Sequence, residues 1–282
     1  MQYTETVVSP AYASEVQLPE ADLNLARAGL LFARSEYPEL DCGWYLGQLD
    51  LIASDIGSRL PRDADVAARL RAMNTTLFGD LGFSGNVDDY YDPRNSFLNE
   101  VLDRRVGLPI TLSILYLELA QRLGVPARGI SFPGHFLVGV STEDGDVIVD
   151  AFDRGATLAR TTFITRLHER AEPETSIAAI EQALRPAMKV EILLRQLRNV
   201  KSIYADRGDA GKTLNALNHM LIAHPDLLPE LLERAALFDT LGYARGAASD
   251  YDHALLLLPE GLDREEIMKR RDTAEARAGQ LH

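Results

Sequence analysis

Hydrophobic positions along the chain change period twice, and the changes mark out its parts. Leu23, Ala26, Leu30 and Ala33 keep the spacing of one helical stripe, and Leu49, Ile52, Ile56 and Leu60 repeat it up to Pro61. Val66, Leu70, Met73 and Leu77 form a third stripe, with Asp63 or Asp65 available as N-cap. Residues 79–94 are rich in Gly, Asp, Asn and Pro, which predicts irregular backbone. A further helix is expected over 95–105, with Leu98, Val101 and Leu102 facing inward. The stretch 109–123 is apolar almost all round, the pattern of a helix buried at a domain centre. Pro109 suits its first turn, where backbone N–H groups lack intrahelical partners.

Beyond that helix the pattern becomes that of strands. Segments 128–132, 136–140 and 146–150 are rich in Val, Ile and Phe and are separated by turn residues, so they read as antiparallel strands. A linker containing Pro173 and Thr175 then leads into a purely helical part. The expected fold class is α+β: a central buried helix packed on an antiparallel sheet, with N-terminal helices before it and an all-α region after it. The expected boundaries are a loosely tied tail at 1–20, a mixed domain at 21–172 and a helical domain at 173–282.

The helical part repeats itself every 34 residues. Gly208 recurs as Gly242, Pro225 as Pro259, Leu197 as Leu231 and Leu193 as Leu227. Leu217 corresponds to Tyr251 and Met220 to Ala254. That period, with Gly between two helices and Pro after the second, resembles tetratricopeptide repeats. In the second copy Ala235, Gly242, Ala247, Tyr251, Ala254 and Pro259 sit where such repeats place small or aromatic packing residues, whereas Thr213 and Met220 make the first copy looser. Two copies with a capping helix over 263–279 either form a groove for a partner or simply pack on the neighbouring domain. His219 and His253 are equivalent one repeat apart and, without a third ligand nearby, are expected to be solvated helix-face residues.

Composition narrows the function classes. A net charge of −13 opposes non-specific nucleic-acid binding and docking on anionic lipid. One cysteine excludes an intramolecular disulfide framework and a Cys-rich zinc site, and fits a reducing compartment. No cofactor and no metal site is expected. The first six residues lack the basic-then-apolar order of a secretory signal. The most apolar window, 108–119, is shorter than the ~20 residues of a membrane span. A cytoplasmic protein is the expectation, with no nucleic-acid or membrane partner and the oligomeric state left open.

Chemistry concentrates between 90 and 155. The segment Tyr90-Tyr91-Asp92-Pro93-Arg94-Asn95-Ser96-Phe97-Leu98-Asn99-Glu100-Val101-Leu102 is followed by Arg105-Val106-Gly107-Leu108-Pro109-Ile110-Thr111-Leu112-Ser113. With Gly134-His135-Phe136-Leu137 and the strand ending in Asp150, it resembles the bacterial SirB1 family over essentially residues 20–260. The resemblance implies a papain/transglutaminase-like core followed by tetratricopeptide-like repeats. In active transglutaminase-like domains the nucleophilic Cys opens the central helix and a Gly-Ile-Pro-Ala-Arg-like turn closes it. Here Gly124-Val125-Pro126-Ala127-Arg128 is the closing turn, and counting back puts the Cys position at Pro109. His135 and Asp150 match the other two triad positions. Proline supplies neither a nucleophile nor a backbone N–H for an oxyanion, and loss of one such donor alone costs ~10²–10³ in rate.

Strand parity supports the pair independently. If the turn at 141–146 closes a regular hairpin, Val140 faces Val147 and Leu137 faces Asp150, so His135 is a diagonal neighbour of Asp150 on one face. The carboxylate would fix the imidazole tautomer, as in a triad, or the two would form a structural tie. Thr111 and Ser113 are the candidate replacement nucleophiles, and Cys42 lies outside the motif as an apolar filler. Asn95, Asn99, Glu100 and Arg105 form a polar cluster before the helix, either as ion pairs in which Arg105 or Arg128 meets Glu100 or Asp150, or as a ligand pocket. Two functions remain. One is a non-catalytic transglutaminase-like protein binding a protein or peptide partner, or a ligand in the vestigial cleft. The other is a hydrolase or amide-transfer enzyme using His135 and Asp150 with a non-cysteine nucleophile or an activated water.

Overall fold

The computed structural model describes residues 8–170, 176–259 and 264–279. The first seven residues of the expected tail, including the segment read as lacking a secretory signal, lie outside the described residues. So do Pro173 and Thr175 of the expected linker and the first residue of the expected capping helix. The chain divides into two compact units, one of residues 14–199 and one of residues 1–13 with 200–282.

In the first unit, α2 (Leu25–Ala33), α3 (Cys42–Ser58) and α4 (Val66–Asn74) follow the three stripes. Asn24, Asp41 and Asp65 each cap a helix by accepting a backbone N–H at the third position on. A π-helical turn at Thr75–Asp80 continues α4, and a 3-10 turn at Pro93–Ser96 precedes α5 (Leu98–Arg104). The helix expected from Asn95 therefore begins later, because Asp92 and Pro93 start a separate tight turn.

The central helix, α6 (Pro109–Arg122), is buried along most of its length and packs against α2, α3 and α5 as well as the sheet. Its entry is fixed by a short parallel pairing of β1 (Ser84–Gly85) with β2 (Val106–Gly107). The sheet is antiparallel, in the order β3 (Ala127–Ile130), β4 (Leu137–Thr142), β5 (Gly145–Asp150), β6 (Ala156–Ala159). Val140 pairs with Val147, as the parity reading expected, and Val138 with Val149. The fourth strand, β6, was not anticipated. α7 (Arg160–Arg170) and α8 (Ile177–Ala183) cover one sheet face with Ile164, Ile180 and Leu184, against Ile130, Leu137 and Ile148.

The second unit contains α10 (Ala210–Ala223), α11 (Leu228–Leu241), α12 (Ala244–Leu257) and α13 (Arg264–Gly279). Each end of α12 falls 34 residues after the same end of α10 (210 to 244, 223 to 257). Gly208 and Gly242, both at positive φ (70° and 81°), occupy the equivalent helix ends. Leu214, Ala235, Phe238, Ala247 and Tyr251 are packed together in its core.

Two expectations are corrected in these units. Residues 10–16 of the expected tail form α1 (Pro10–Val16), because Tyr12 is fully buried and its hydroxyl donates to the carbonyl of His219. His219 is not a solvated face residue: it is 2% exposed, edge-on to the Tyr12 ring, and hydrogen-bonded through Nδ1 to the Asn215 carbonyl. Burial pushes its pKa down to about 4. His253 does lie at the surface, against Asp226. The two compact units divide at 199/200, inside α9 (Lys189–Asp206).

Candidate functional site

His135 and Asp150 meet. A turn through Gly134, at φ 71°, delivers His135 to the start of β4, and β5 ends at Asp150. His135 Nε2 lies 2.7 Å from Asp150 Oδ2, with the two side chains 28% and 27% exposed. Oδ1 accepts the backbone N–H groups of Phe152 and Asp153 at 3.0 and 3.1 Å. Burial alone would raise the Asp150 carboxyl. The His135 hydrogen bond and charge outweigh burial, with help from the two amides, and hold it below the ordinary carboxylate range. An ionised carboxylate only accepts, so Nε2–H donates to it, and in the neutral ring Nδ1 is left as the acceptor.

The start of α6 is closed. Pro109 is buried and has no N–H to offer. The Leu108 amide beside it is already shared between the Asn95 carbonyl (3.3 Å) and Thr111 Oγ1 (3.0 Å). Thr111 is fully buried, and its hydroxyl is within 2.7 Å of the Asn95 carbonyl. Its role here is that of a cap. Ser113 is also buried, and its Oγ has no hydrogen-bond partner among the described residues.

Asn95 organises the approach. Its Nδ2 donates to the carbonyls of Asp89 (2.7 Å) and Tyr90 (3.3 Å), while its Oδ1 accepts from Asn86 (3.0 Å) and Arg104 (3.4 Å). Asn99 is buried, with Oδ1 unpartnered among the described residues. Glu100 lies in the first turn of α5, half-buried. The ion pairs expected for the flanking arginines do not form. Arg105, at φ 61°, ends α5 and donates to the Leu81 carbonyl, while Arg128 pairs with Asp146 and Ser141 across the sheet. The first is taken up by the Leu81 carbonyl and the second by the Asp146 carboxylate. Cys42 opens α3 half-buried, and burial pushes its thiol up, against the pull of Arg34.

Several residues that the sequence reading passed over join these parts. The Asn86 amide donates to the Gly107 carbonyl and the Gly85 amide to that of Phe152, so β1 links the helix start to the turn after Asp150. The Phe152 ring stands edge-on to His135 at 6.1 Å and to Tyr90 at 6.0 Å, and Tyr90 in turn meets Tyr91 at 5.3 Å. A Cβ added at Gly85 would come within 2.5 Å of the Phe152 ring, so only glycine admits it. The signals were in view: Tyr90 and Tyr91 head the quoted motif, and Phe152 follows Asp150 by two. Among the described residues no group of three or more His, Cys, Asp or Glu side chains is placed to hold a metal ion.

A helix buried against an antiparallel sheet, with His and Asp paired on adjacent strands beside its N-terminus, defines a transglutaminase-like architecture. The chain belongs to the transglutaminase-like superfamily, whose model matches residues 43–198. Its relatives include a UPF0162 protein of Xylella fastidiosa, 36% identical over 260 residues that make up 90% of this chain and 91% of that one. A UPF0162 protein of Vibrio cholerae is 27% identical over 232 residues, 82% of this chain and 85% of its own. F-box only protein 21 of Homo sapiens is 34% identical over 187 residues, 61% of this chain and 28% of that longer one. No solved structure matches the chain.

Proposed function

We propose that this is a transglutaminase-like protein of the SirB1 kind that has lost covalent acyl transfer and works by binding a protein or peptide partner. The observation that carries this is the state of the helix start. The position expected for the nucleophile holds a buried proline, and the neighbouring Leu108 amide is consumed by Asn95 and Thr111. A papain-like route needs a thiolate and free N–H donors at that place. Thr111 and Ser113 do not substitute for it, being buried, with the Thr111 hydroxyl engaged in capping. His135 and Asp150 are then the retained members of a triad, with Asn95, Asn99, Glu100 and Arg105 framing the approach.

The helices of the second unit serve this reading as tetratricopeptide-like repeats. The 34-residue offset of α10 and α12 and the two positive-φ glycines support it. We assign the mixed domain to 21–172 and the repeats with their cap to 173–282, acting in the cytoplasm. Among the described residues no helix is long and apolar enough to cross a membrane.

The experiment is covalent trapping. The whole chain is incubated with an activated ester and digested, and the 107–113 segment is read by mass spectrometry. No acyl adduct is expected there, and an adduct on Thr111 or Ser113 that needs His135 overturns the reading. One observation favours a second function. His135 is partly exposed with Nδ1 not committed to Asp150, which suits a general base acting on water. That hydrolase would require no nucleophile at position 109.

A further inference from the structure

Between the aromatic rings and α9 lies a group that neither the triad comparison nor the repeats explain. Arg195, on α9, is half-buried, yet among the described residues it makes no hydrogen bond or ion pair. The Tyr90 phenol is likewise half-buried without a hydrogen-bond partner among the described residues. Two hydrogen bonds bring these groups to one place. Asn95 Nδ2 holds the Tyr90 carbonyl at 3.3 Å, and Gln196, the neighbour of Arg195, donates through Nε2 to the Ser96 carbonyl at 2.8 Å. Gln196 is fully buried, so this segment of α9 is fixed against the 3-10 turn Pro93–Ser96, whose Asn95 holds the Tyr90 carbonyl. Burial pushes the Tyr90 phenol up, Tyr91 adds to that, and Arg195 opposes it, as a nearby cation would.

We propose that Arg195 and the Tyr90 hydroxyl form a carboxylate-binding subsite at the outer end of the Tyr91–Tyr90–Phe152–His135 ring series. The inference rests on the partner-binding reading of this site and names the group that the partner presents. Two donors without acceptors call for a ligand that only accepts, and a guanidinium offers its paired N–H groups to a carboxylate in two parallel hydrogen bonds. A partly desolvated cation also gains more from a counter-charge than an exposed one. Selectivity comes from the surroundings. The exposed carboxylates of Asp88, Asp89 and Asp153 lie on the two loops that carry Tyr90 and Phe152. They disfavour a multiply charged anion, so a single carboxylate is preferred to phosphate. A side chain or main chain attached to that carboxylate would run along Phe152 towards His135.

The test is a titration of the whole chain, following the Arg195 Nε–H signal by NMR, assigned by its absence in Arg195→Gln. Four probes are added up to about 50 mM, above the millimolar Kd that ~4 kcal/mol of binding gives. They are a short amidated peptide with one internal Glu, the same peptide with Gln, a neutral peptide with a free C-terminal carboxylate, and inorganic phosphate. A saturable shift with the Glu peptide or the C-terminal carboxylate is expected, and which of the two responds tells the source. Tyr90→Phe should weaken that binding ~10-fold or more, for one lost hydrogen bond to a charged group, with thermal melting unchanged. No shift with either carboxylate, an equal response to the Gln peptide, or phosphate binding as tightly overturns the proposal. Failure here is separable from failure of the non-catalytic reading. Turnover would sink that reading while a carboxylate shift stood, and silence in this titration leaves the trapping result untouched.

Discussion

At the scale of single residues, proline at position 109 offers neither a thiol nor an N–H, while Asp150 holds His135. The pair is testable through pH. The Asp150 carboxyl is depressed in the folded chain, so its stabilising contribution is complete above the unfolded value of ~3.9 and fades as pH falls through the folded value. Urea midpoints of wild type and Asp150→Asn should therefore differ at neutral pH and converge below about pH 4. A gap that widens on acidification would contradict that sign. Gly85→Ala should cost ~1–3 kcal/mol by driving Phe152 off its seat, and it should move the His135 ring signals as well. The meeting of His135 and Asp150 was legible because the two-residue period of a hairpin puts them on one face, whereas the weight given to Pro109 came from the family resemblance. Phe152, Tyr90 and Arg195 were not, since ring contacts and empty hydrogen-bond positions leave no period. His219 was misread for the same reason: the residue that buries it, Tyr12, comes from 207 positions away.

At the scale of elements, α6 depends on Thr111, which ties Leu108 and Asn95 at the helix entry. Thr111→Val should lower stability by ~1–2 kcal/mol in chemical denaturation, whereas Thr111→Ser should stay close to wild type. Equal losses in both would assign the effect to packing of the methyl group instead. The stripes of α2, α3 and α4 and the all-round apolar run of α6 were readable because burial dictates both patterns. β6 escaped, being a short strand of Ala and Thr around a single Leu, with only pairing to β5 to define it. α1 escaped because seven residues carry too little period, and its place follows from one buried tyrosine.

For the molecule as a whole, everything after residue 172 was read as one helical region, yet α8 gives its apolar face to the sheet alongside α7. Period reports that a segment is helical but not what it packs on, and the compact units divide inside α9, at 199/200. The second unit also draws on the N-terminal segment. Tyr12→Ala should cost ~3–5 kcal/mol, as for other buried aromatic rings, and a loss below 1 kcal/mol would show that the segment contributes little. The central claim, however, concerns chemistry at the helix start. It is met most directly by steady-state turnover of an ester and amide panel by the whole chain, compared with His135→Ala at matched melting temperature. Indistinguishable rates are expected, both at the level of the buffer. Turnover in the wild type that His135→Ala abolishes would contradict it.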